Sequence, residues 1–272
     1  MSSSQPIAVI KFGGEVVGSP GLGLVLADVG SLLARGWRIL LCHGGGPQTT
    51  ALGERLGLTT TKVLGQRVTD GETLRAACQA IAGEVGTEVV AQAWRHDIRA
   101  MGMSAGVIHA RRRAPVAVEG EPEPVDYGLV GDITRLELDA LYSCWERGYT
   151  PVLNPIGVGE GPEPLLNING DTAAAALARE LGADHLFAVT SVPGVLRDRH
   201  DPQTRIPRLD PAGVREAIAD GTIQGGMIPK VESALAALEG ARAVHILAPE
   251  AGAIVAAADQ PGCRGTVFLA GA

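Results

Sequence analysis

Aromatic side chains are scarce in this sequence: three each of Phe, Trp and Tyr among 272 residues. A core built almost without them must close on Ala, Val, Ile and Leu, so helices and strands have to approach closely. Cysteine is scarce too. Cys42, Cys78, Cys144 and Cys263 form no CxxC pair and fit no zinc-ligand spacing, which reads as buried thiols in a reducing compartment. No apolar run reaches the roughly 18 residues that span a bilayer. The N-terminal stretch "MSSSQPIAVIKF" has no apolar core of signal-peptide length. A cytoplasmic protein without a membrane partner is expected. Positive charge is also short: the net charge is −7, whereas a face for a phosphate backbone is normally basic. Nucleic acid is therefore not expected as a partner. The one basic run, residues 110–113, reads as a solvated strand end. The six histidines show no metal-ligand or Ser-His-Asp pattern, so no metal-binding residue is assigned. His43, beside a glycine run, is the one histidine worth testing.

What is present is alternation. "IAVIKF" reads as a buried strand stopping at Gly13-Gly14, and residues 22–35 as a helix that Gly36 caps. "WRILLC" is the next strand. It stops at Gly44-Gly45-Gly46, and Pro47 suits the first turn of the following helix. Residues 69–94 carry the longest helical pattern, with Thr69 and Glu72 as a capping box. Residues 105–118 read as a β-hairpin arm with its tip at 119–124, and Thr134 with Glu137 as the start of another helix. "YTPVLNPI" reads as a strand, and "LLNINGDTAAAALARELGA" as strand, tight turn and helix. The second half repeats the pattern, ending on the strands "AVHILA" and "GTVFLA". Strands separated by helical crossovers imply a mainly parallel sheet covered on both faces. Ligands of such sheets sit beyond the carboxyl ends of the strands, which is where the glycine runs fall.

Several residues there suit anion chemistry. Glycine lets a ligand approach main-chain N–H groups, and N–H groups at helix starts favour phosphate. Neither a Walker A GxxxxGK[ST] nor a GxGxxG after the first strand is present, so a nucleotide would need another arrangement. Lys11 lies in an otherwise apolar strand, and a buried lysine needs a partner or an anion. Lys230 opens a helix after the glycine turn "GGMIP". Two lysines aimed at one place suit phosphoryl transfer, which is mainly positioning and charge neutralisation. Asp171, in "LNINGD", is either a plain helix cap or the acceptor that orients both lysines. Asn167 and Asn169 face the same way if the strand is regular. Arg67, in "GQRVTD", can hold a carboxylate with both arms of its fork.

Taken together, "KFGGEVV", "HGGGPQ", "GQRVTD", "YGLVGDI", "GYTPVLNPI", "LNINGDTAAAALA", "VPGVL" and "GGMIPKV" resemble the amino acid kinase family, in particular its branch acting on N-acetyl-L-glutamate. They run in that family's order along nearly the whole chain. The resemblance implies an α/β fold, a three-layer αβα sandwich with a mainly parallel central sheet. Residues 1–165 would form an acyl-substrate and dimerisation lobe, and residues 166–272 an ATP lobe, in one continuous fold. It implies transfer of the ATP γ-phosphoryl to the side-chain carboxylate of N-acetyl-L-glutamate, the second step of arginine biosynthesis. Lys11 and Lys230 would stabilise the transferring group, with Asp171 organising them. Gly44, Gly45, Arg67, Asn167 and Asn169 would bind the acyl substrate. Gly13 and Gly14 would serve ATP, with Ser191, Val192, Pro193, Gly194, Val195, Leu196, Thr222, Ile223 and Gln224. Mg2+ would ride on the nucleotide phosphates.

The chain departs from the family's usual pattern at "MGMSAGVIHARRR", at Ser191 in place of an aspartate, and at "HILAPEAG". Only six residues precede the first strand, too few at 1.5 Å per residue for the N-terminal helix that builds arginine-sensitive hexamers in relatives. A homodimer without that arginine response is expected. Two other readings stand beside this one: a kinase for carrier-bound aminoadipate or glutamate, and a nucleotide- or amino-acid-binding regulator without turnover.

Overall fold

The computed structural model describes residues 5–118 and 121–270. An eight-stranded sheet runs through its centre, in the order Arg208–Leu209, Thr266–Phe268, Ala243–Leu247, His185–Val189, Ile7–Phe12, Arg38–His43, Thr150–Leu153, Ala100–Met103. All neighbours are parallel except Ala243–Leu247 and Thr266–Phe268. Helices cover both faces, as the crossover pattern requires. Alternation along Ile7–Phe12 sorts the layers: Ala8, Ile10 and Phe12 enter one core with helices Gly21–Ala34, Gly86–Arg95 and Ala253–Asp259. Val9 enters the other core, with helices Gly170–Glu180, Pro211–Ala219 and Ile228–Ala237. Lys11 has the parity of Val9, so the strand's period of two aims it at the helix Gly170–Glu180 side.

The small residues do what the composition demands. Ala173, Ala174, Ala175 and Ala178 are all buried in the helix behind Lys11. Gly36 adopts φ 83°, and the bonds Gly36 N–H to Leu33 C=O and Trp37 N–H to Leu32 C=O close the predicted cap as a Schellman motif. Asp28, buried in helix Gly21–Ala34, accepts from Gly252 N at 3.0 Å and Ile254 N at 2.8 Å, capping helix Ala253–Asp259 from outside. Of the four cysteines, Cys42 and Cys144 are buried; Cys78 is half-buried and Cys263 exposed, so the expectation of buried thiols holds for two.

Other local expectations need correction. The stretch "YTPVLNPI" is not one strand. Thr150–Leu153 ends in the central sheet, the chain turns at Asn154-Pro155, and Ile156–Gly159 joins a second sheet ordered Leu165–Asn167, Ile156–Gly159, Ile108–Arg112, Gly131–Leu136. Asn154 makes the turn, its Oδ1 accepting from Ile156 N at 3.2 Å. Thr134 lies inside strand Gly131–Leu136, and the next helix is Asp139–Glu146. The arm pairs Ile108–Arg112 with Gly131–Leu136 and extends through a bridge between Val116 and Val125; Glu119 and Gly120 of its tip lie outside the described residues. Asp70, not Thr69, caps the long helix, accepting from Thr73 N at 2.8 Å. That helix is α over Gly71–Ala77, π over Cys78–Val85 and α again over Gly86–Arg95. Finally, Lys62–Val63 and Gln66–Arg67 form a small hairpin whose turn residues Leu64 and Gly65 both have positive φ, 47° and 78°, as a tight primed turn needs.

Candidate active site

The two glycine runs are adjacent in space because their strands pair in parallel, Phe12 beside His43. None of Gly13, Gly14, Gly44, Gly45 and Gly46 has a left-handed φ, so backbone strain does not explain them; close approach does at Gly14 and Gly45. A Cβ on Gly14 would lie 2.2 Å from Gln48 Oε1 and 3.0 Å from Gly45 Cα. A Cβ on Gly45 would meet Ile81 Cγ1 at 2.8 Å. Gln48 ties the turns together, its Nε2 donating to Gly14 C=O at 2.8 Å.

Beyond the second run opens a cavity of about 170 Å3. Gly44, Gly45 and Gly46 form one wall; Asn167, Asn169 and Gly170 form another; Lys62, Gln66 and Arg67 of the small hairpin overhang it. Among the described residues no carboxylate lines it, and two cations do. Arg67 is held by neutral acceptors alone: Thr50 Oγ1 at 2.7 Å, Gly46 C=O at 3.0 Å and Thr60 Oγ1 at 3.1 Å. Partial burial lowers its pKa from the ordinary guanidinium value. A half-desolvated cation with no acid beside it is a receptor for an anionic ligand. Ala77, Ile81, Val130, Pro155 and Ile168 give the cavity an apolar floor.

Gly170 is also where the lysines begin. A Cβ there would lie 3.6 Å from Lys11 Cε, so this glycine separates the cavity from a buried ion cluster. Lys11 is 7% exposed, and its Nζ lies 2.6 Å from Asp171 Oδ1. Lys230 Nζ donates to Asp171 Oδ2 at 3.1 Å. Burial alone would raise the Asp171 carboxyl; the two lysines override it and hold the pKa at about 2. Of the two sequence readings of Asp171, orientation of the lysines is the one realised. Asn169 takes the capping role instead, its Oδ1 accepting from Asp171 N at 2.9 Å and Thr172 N at 3.0 Å. The strand ends at Asn167, so Asn167 and Asn169 are not two positions of one regular strand. Two lysines on one carboxylate leave a net positive charge, and two helix N-termini, of Gly170–Glu180 and Ile228–Ala237, converge on it.

On the Lys230 side lies a larger cavity of about 630 Å3. Val192, Gly194, Val195, Leu196, Thr222 and Gln224 line it, and Gly225, Gly226 and Met227 carry its wall into the Lys230 helix. The remaining residues assigned to the nucleotide are elsewhere. Ile223 is 2% exposed and packs in the core. Pro193 borders a separate small cavity beside Cys263. Ser191 lines neither of these two cavities, and Gly13 and Gly14 lie against the Gly44–Gly45 turn rather than in the larger cavity. His43 is buried with its Nδ1 3.0 Å from Gly44 C=O, and burial lowers its pKa. It faces a different cavity. Lys62 and Gln48 are contributors that local patterns did not single out, and Thr69, read from the sequence as a helix cap, instead donates to Arg67 C=O. Among the described residues, no group of three or more His, Cys, Asp or Glu side chains is placed to hold a metal ion.

The Amino acid kinase family model matches residues 6–248. A protein of Anaeromyxobacter dehalogenans (strain 2CP-C) named acetylglutamate kinase is 47% identical over 96% of this chain and 98% of its own length. One of Sorangium cellulosum (strain So ce56) with the same name is 45% identical over 96% of this chain and 94% of its own. Among solved structures, N-acetylglutamate synthase from Neisseria gonorrhoeae, complexed with coenzyme A and N-acetyl-glutamate, superposes with a TM-score of 0.81 at 25% identity, covering 98% of this chain and 60% of that one. Carbamate kinase from Giardia lamblia bound to AMP-PNP superposes with a TM-score of 0.72 at 15% identity, over 99% of this chain and all of its own, a likeness of fold alone. With the family model matched along most of its length and relatives at 45–47% identity over nearly all of it, the chain belongs to the amino acid kinase family.

Proposed function

We propose that the chain transfers the γ-phosphoryl group of ATP to the side-chain carboxylate of N-acetyl-L-glutamate, giving N-acetyl-L-glutamyl 5-phosphate and ADP. One observation carries the reading: Asp171 holds Lys11 and Lys230 together, while Asn169 and Gly170 just before Asp171 line a small carboxylate-free cationic cavity and Gly225 to Met227 just before the Lys230 helix line a larger one. The name shared by the relatives at 45–47% identity supports the same substrate, a step of arginine biosynthesis. In this reading residues 1–165 hold the acyl substrate and residues 166–272 the nucleotide. The acyl substrate occupies the small cavity, with Arg67 on its α-carboxylate and Asn167 beside it. ATP occupies the larger cavity, its phosphates reaching Lys230.

The chemistry needs no general base, because a carboxylate is already a nucleophile at neutral pH. The obstacle is repulsion between two anions. Lys11 and Lys230 offset it, and Asp171 keeps both ammonium groups on the side of the transferring group without neutralising them. Charges fixed in place before the reaction begins usually lower such a barrier more than any other single effect. Both Asp171 oxygens are engaged by lysines, so the chain offers Mg2+ no free carboxylate there. Mg2+ would ride on the nucleotide phosphates.

A cytoplasmic homodimer completes the reading. Strand Ala100–Met103 is the last of its sheet; Trp94 Nε1 donates to Ala100 C=O at 3.0 Å, and Met101 on the strand and Trp94 on the adjoining helix are exposed, an apolar edge that suits a second copy. The test of function is direct. Protein, MgATP and N-acetyl-L-glutamate are incubated with hydroxylamine, which captures an acyl phosphate as the hydroxamate. Hydroxamate with this substrate, and far less with free glutamate or aspartate, is expected; none with any acid would refute the proposal.

A further inference from the structure

Thr69 is fully buried and lines neither the acyl cavity nor the larger one, yet its hydroxyl stands between the two residues proposed to face the acyl ligand. Its Oγ1 donates to Arg67 C=O at 3.1 Å and accepts from Asn167 Nδ2 at 3.2 Å. The direction of this relay is fixed by chemistry. A carbonyl only accepts, so the single hydroxyl proton is spent on Arg67. The hydroxyl then presents only lone pairs to Asn167, which must offer its NH2 end. The amide orientation follows from the network rather than from choosing between O and N. The threonine is itself clamped: its N–H donates to Tyr127 C=O at 2.9 Å, and its C=O accepts from Leu129 N at 2.6 Å. Gly128, at φ 71°, lies between them, where a Cβ would fall 2.3 Å from Thr69 O.

We infer that Thr69 is a positioning residue that holds Asn167 Oδ1 as a fixed acceptor toward the acyl cavity, and that this acceptor selects an uncharged N–H donor on the ligand, the nitrogen of an N-acylated amino acid. Nothing among the described residues donates to Asn167 Oδ1. A free ammonium would also supply N–H groups, but Lys62 and Arg67 line the same carboxylate-free cavity and repel it. An ester oxygen in place of the N–H would set two acceptors face to face. The inference rests on the proposed function and adds to it the atom that reads the acylated nitrogen.

The test compares N-acetyl-L-glutamate with its ester analogue, 2-acetoxyglutarate, as phosphoryl acceptors. The unaltered protein should favour the amide by about tenfold or more in kcat/KM, the size of one lost or frustrated hydrogen bond. Thr69→Val keeps the shape but frees the Asn167 amide to turn. It should bring the preference to within about twofold while leaving KM for MgATP unchanged, and Thr69→Ser should restore it. Asn167→Ala, which leaves Thr69 in place, should lose the preference as well, and serves if Thr69→Val fails to fold. An unaltered protein without the preference, or folded Thr69→Val or Asn167→Ala retaining it, would overturn the inference. Phosphorylation of neither acid by the unaltered protein would overturn the proposed function and this inference with it.

Discussion

Gly44 and Gly45 are neighbours with different reasons to be glycine. A Cβ on Gly44 would find Gly13 Cα at 3.8 Å and Gly14 N at 3.9 Å, ordinary contacts, so the fold has room for alanine there, on the wall of the cavity proposed for the acyl ligand. A Cβ on Gly45 would strike Ile81. Gly44→Ala should therefore lose turnover at unchanged melting temperature. Gly45→Ala should also lose stability, by about 1–3 kcal/mol, as overpacked cores do. Thermal melts beside rate measurements on both variants separate the two cases. At Lys230, truncation removes charge from the transferring group and leaves the nucleotide cavity otherwise intact. Lys230→Ala should lower kcat by about a hundredfold or more while the Kd for ATP changes little, checked by single-turnover rates and equilibrium binding. At this scale the sequence was readable where a residue clashed with its surroundings, as Lys11 does in its apolar strand. It was not readable where a role depends on a distant neighbour. Nothing local distinguishes Asn169 as the cap from Asp171 as the lysine holder, and nothing local shows that the Thr69 hydroxyl meets an amide from the Leu165–Asn167 strand.

Elements were legible wherever a strand runs into glycine, because the periodicity stops and the chain must turn. They were misread where one apolar run serves two sheets, as at Asn154-Pro155, and where a strand end imitates a capping box, as at Thr134. The π-helical segment Cys78–Val85, which brings Ile81 against Gly45, gives no periodic signal of its own. Strand adjacency also creates a feature that no pattern announces. His185 and His245 come from neighbouring parallel strands; His185 Nδ1 lies 2.9 Å from His245 Nε2, and both rings stack with Phe187. His245 has no exposed surface. Burial, with a smaller contribution from His185, lowers its pKa to about 3, and burial lowers that of His185 as well. The folded protein keeps His245 neutral while the unfolded chain protonates it near the ordinary value of 6.5. Its contribution to stability is thus complete above pH 6.5 and declines as pH falls toward 3. The melting temperature should drop between about pH 7.5 and 5.0, and His245→Phe should drop less over the same interval. Equal drops, followed by circular dichroism, would remove the pair from the acid sensitivity.

Across the whole molecule the sheet order does the assembling. Strands Ile7–Phe12 and Arg38–His43 bring the two glycine turns together, His185–Val189 joins them from the second half of the chain, and the lysines meet at Asp171 from opposite ends of the sequence. The layered fold and the place of the chemistry were legible from alternation and glycine. The cavities were not, since their walls combine segments that only the closed sheet makes neighbours: Gly44, Arg67 and Asn167 around one, Gly194 and Gly226 around the other. The same scale carries the assembly prediction. If edge strand Ala100–Met103 meets a second copy, light scattering should give twice the chain mass, and Met101→Lys should return it to one. The central claim, that the ligand's side-chain carboxylate takes up the phosphoryl group, is tested most directly by isotope transfer. N-acetyl-L-glutamate labelled with heavy oxygen in its side-chain carboxylate is turned over in the presence of hydroxylamine, and the released inorganic phosphate is weighed by mass spectrometry. Transfer to the carboxylate predicts one labelled oxygen in each phosphate; unlabelled phosphate would contradict it.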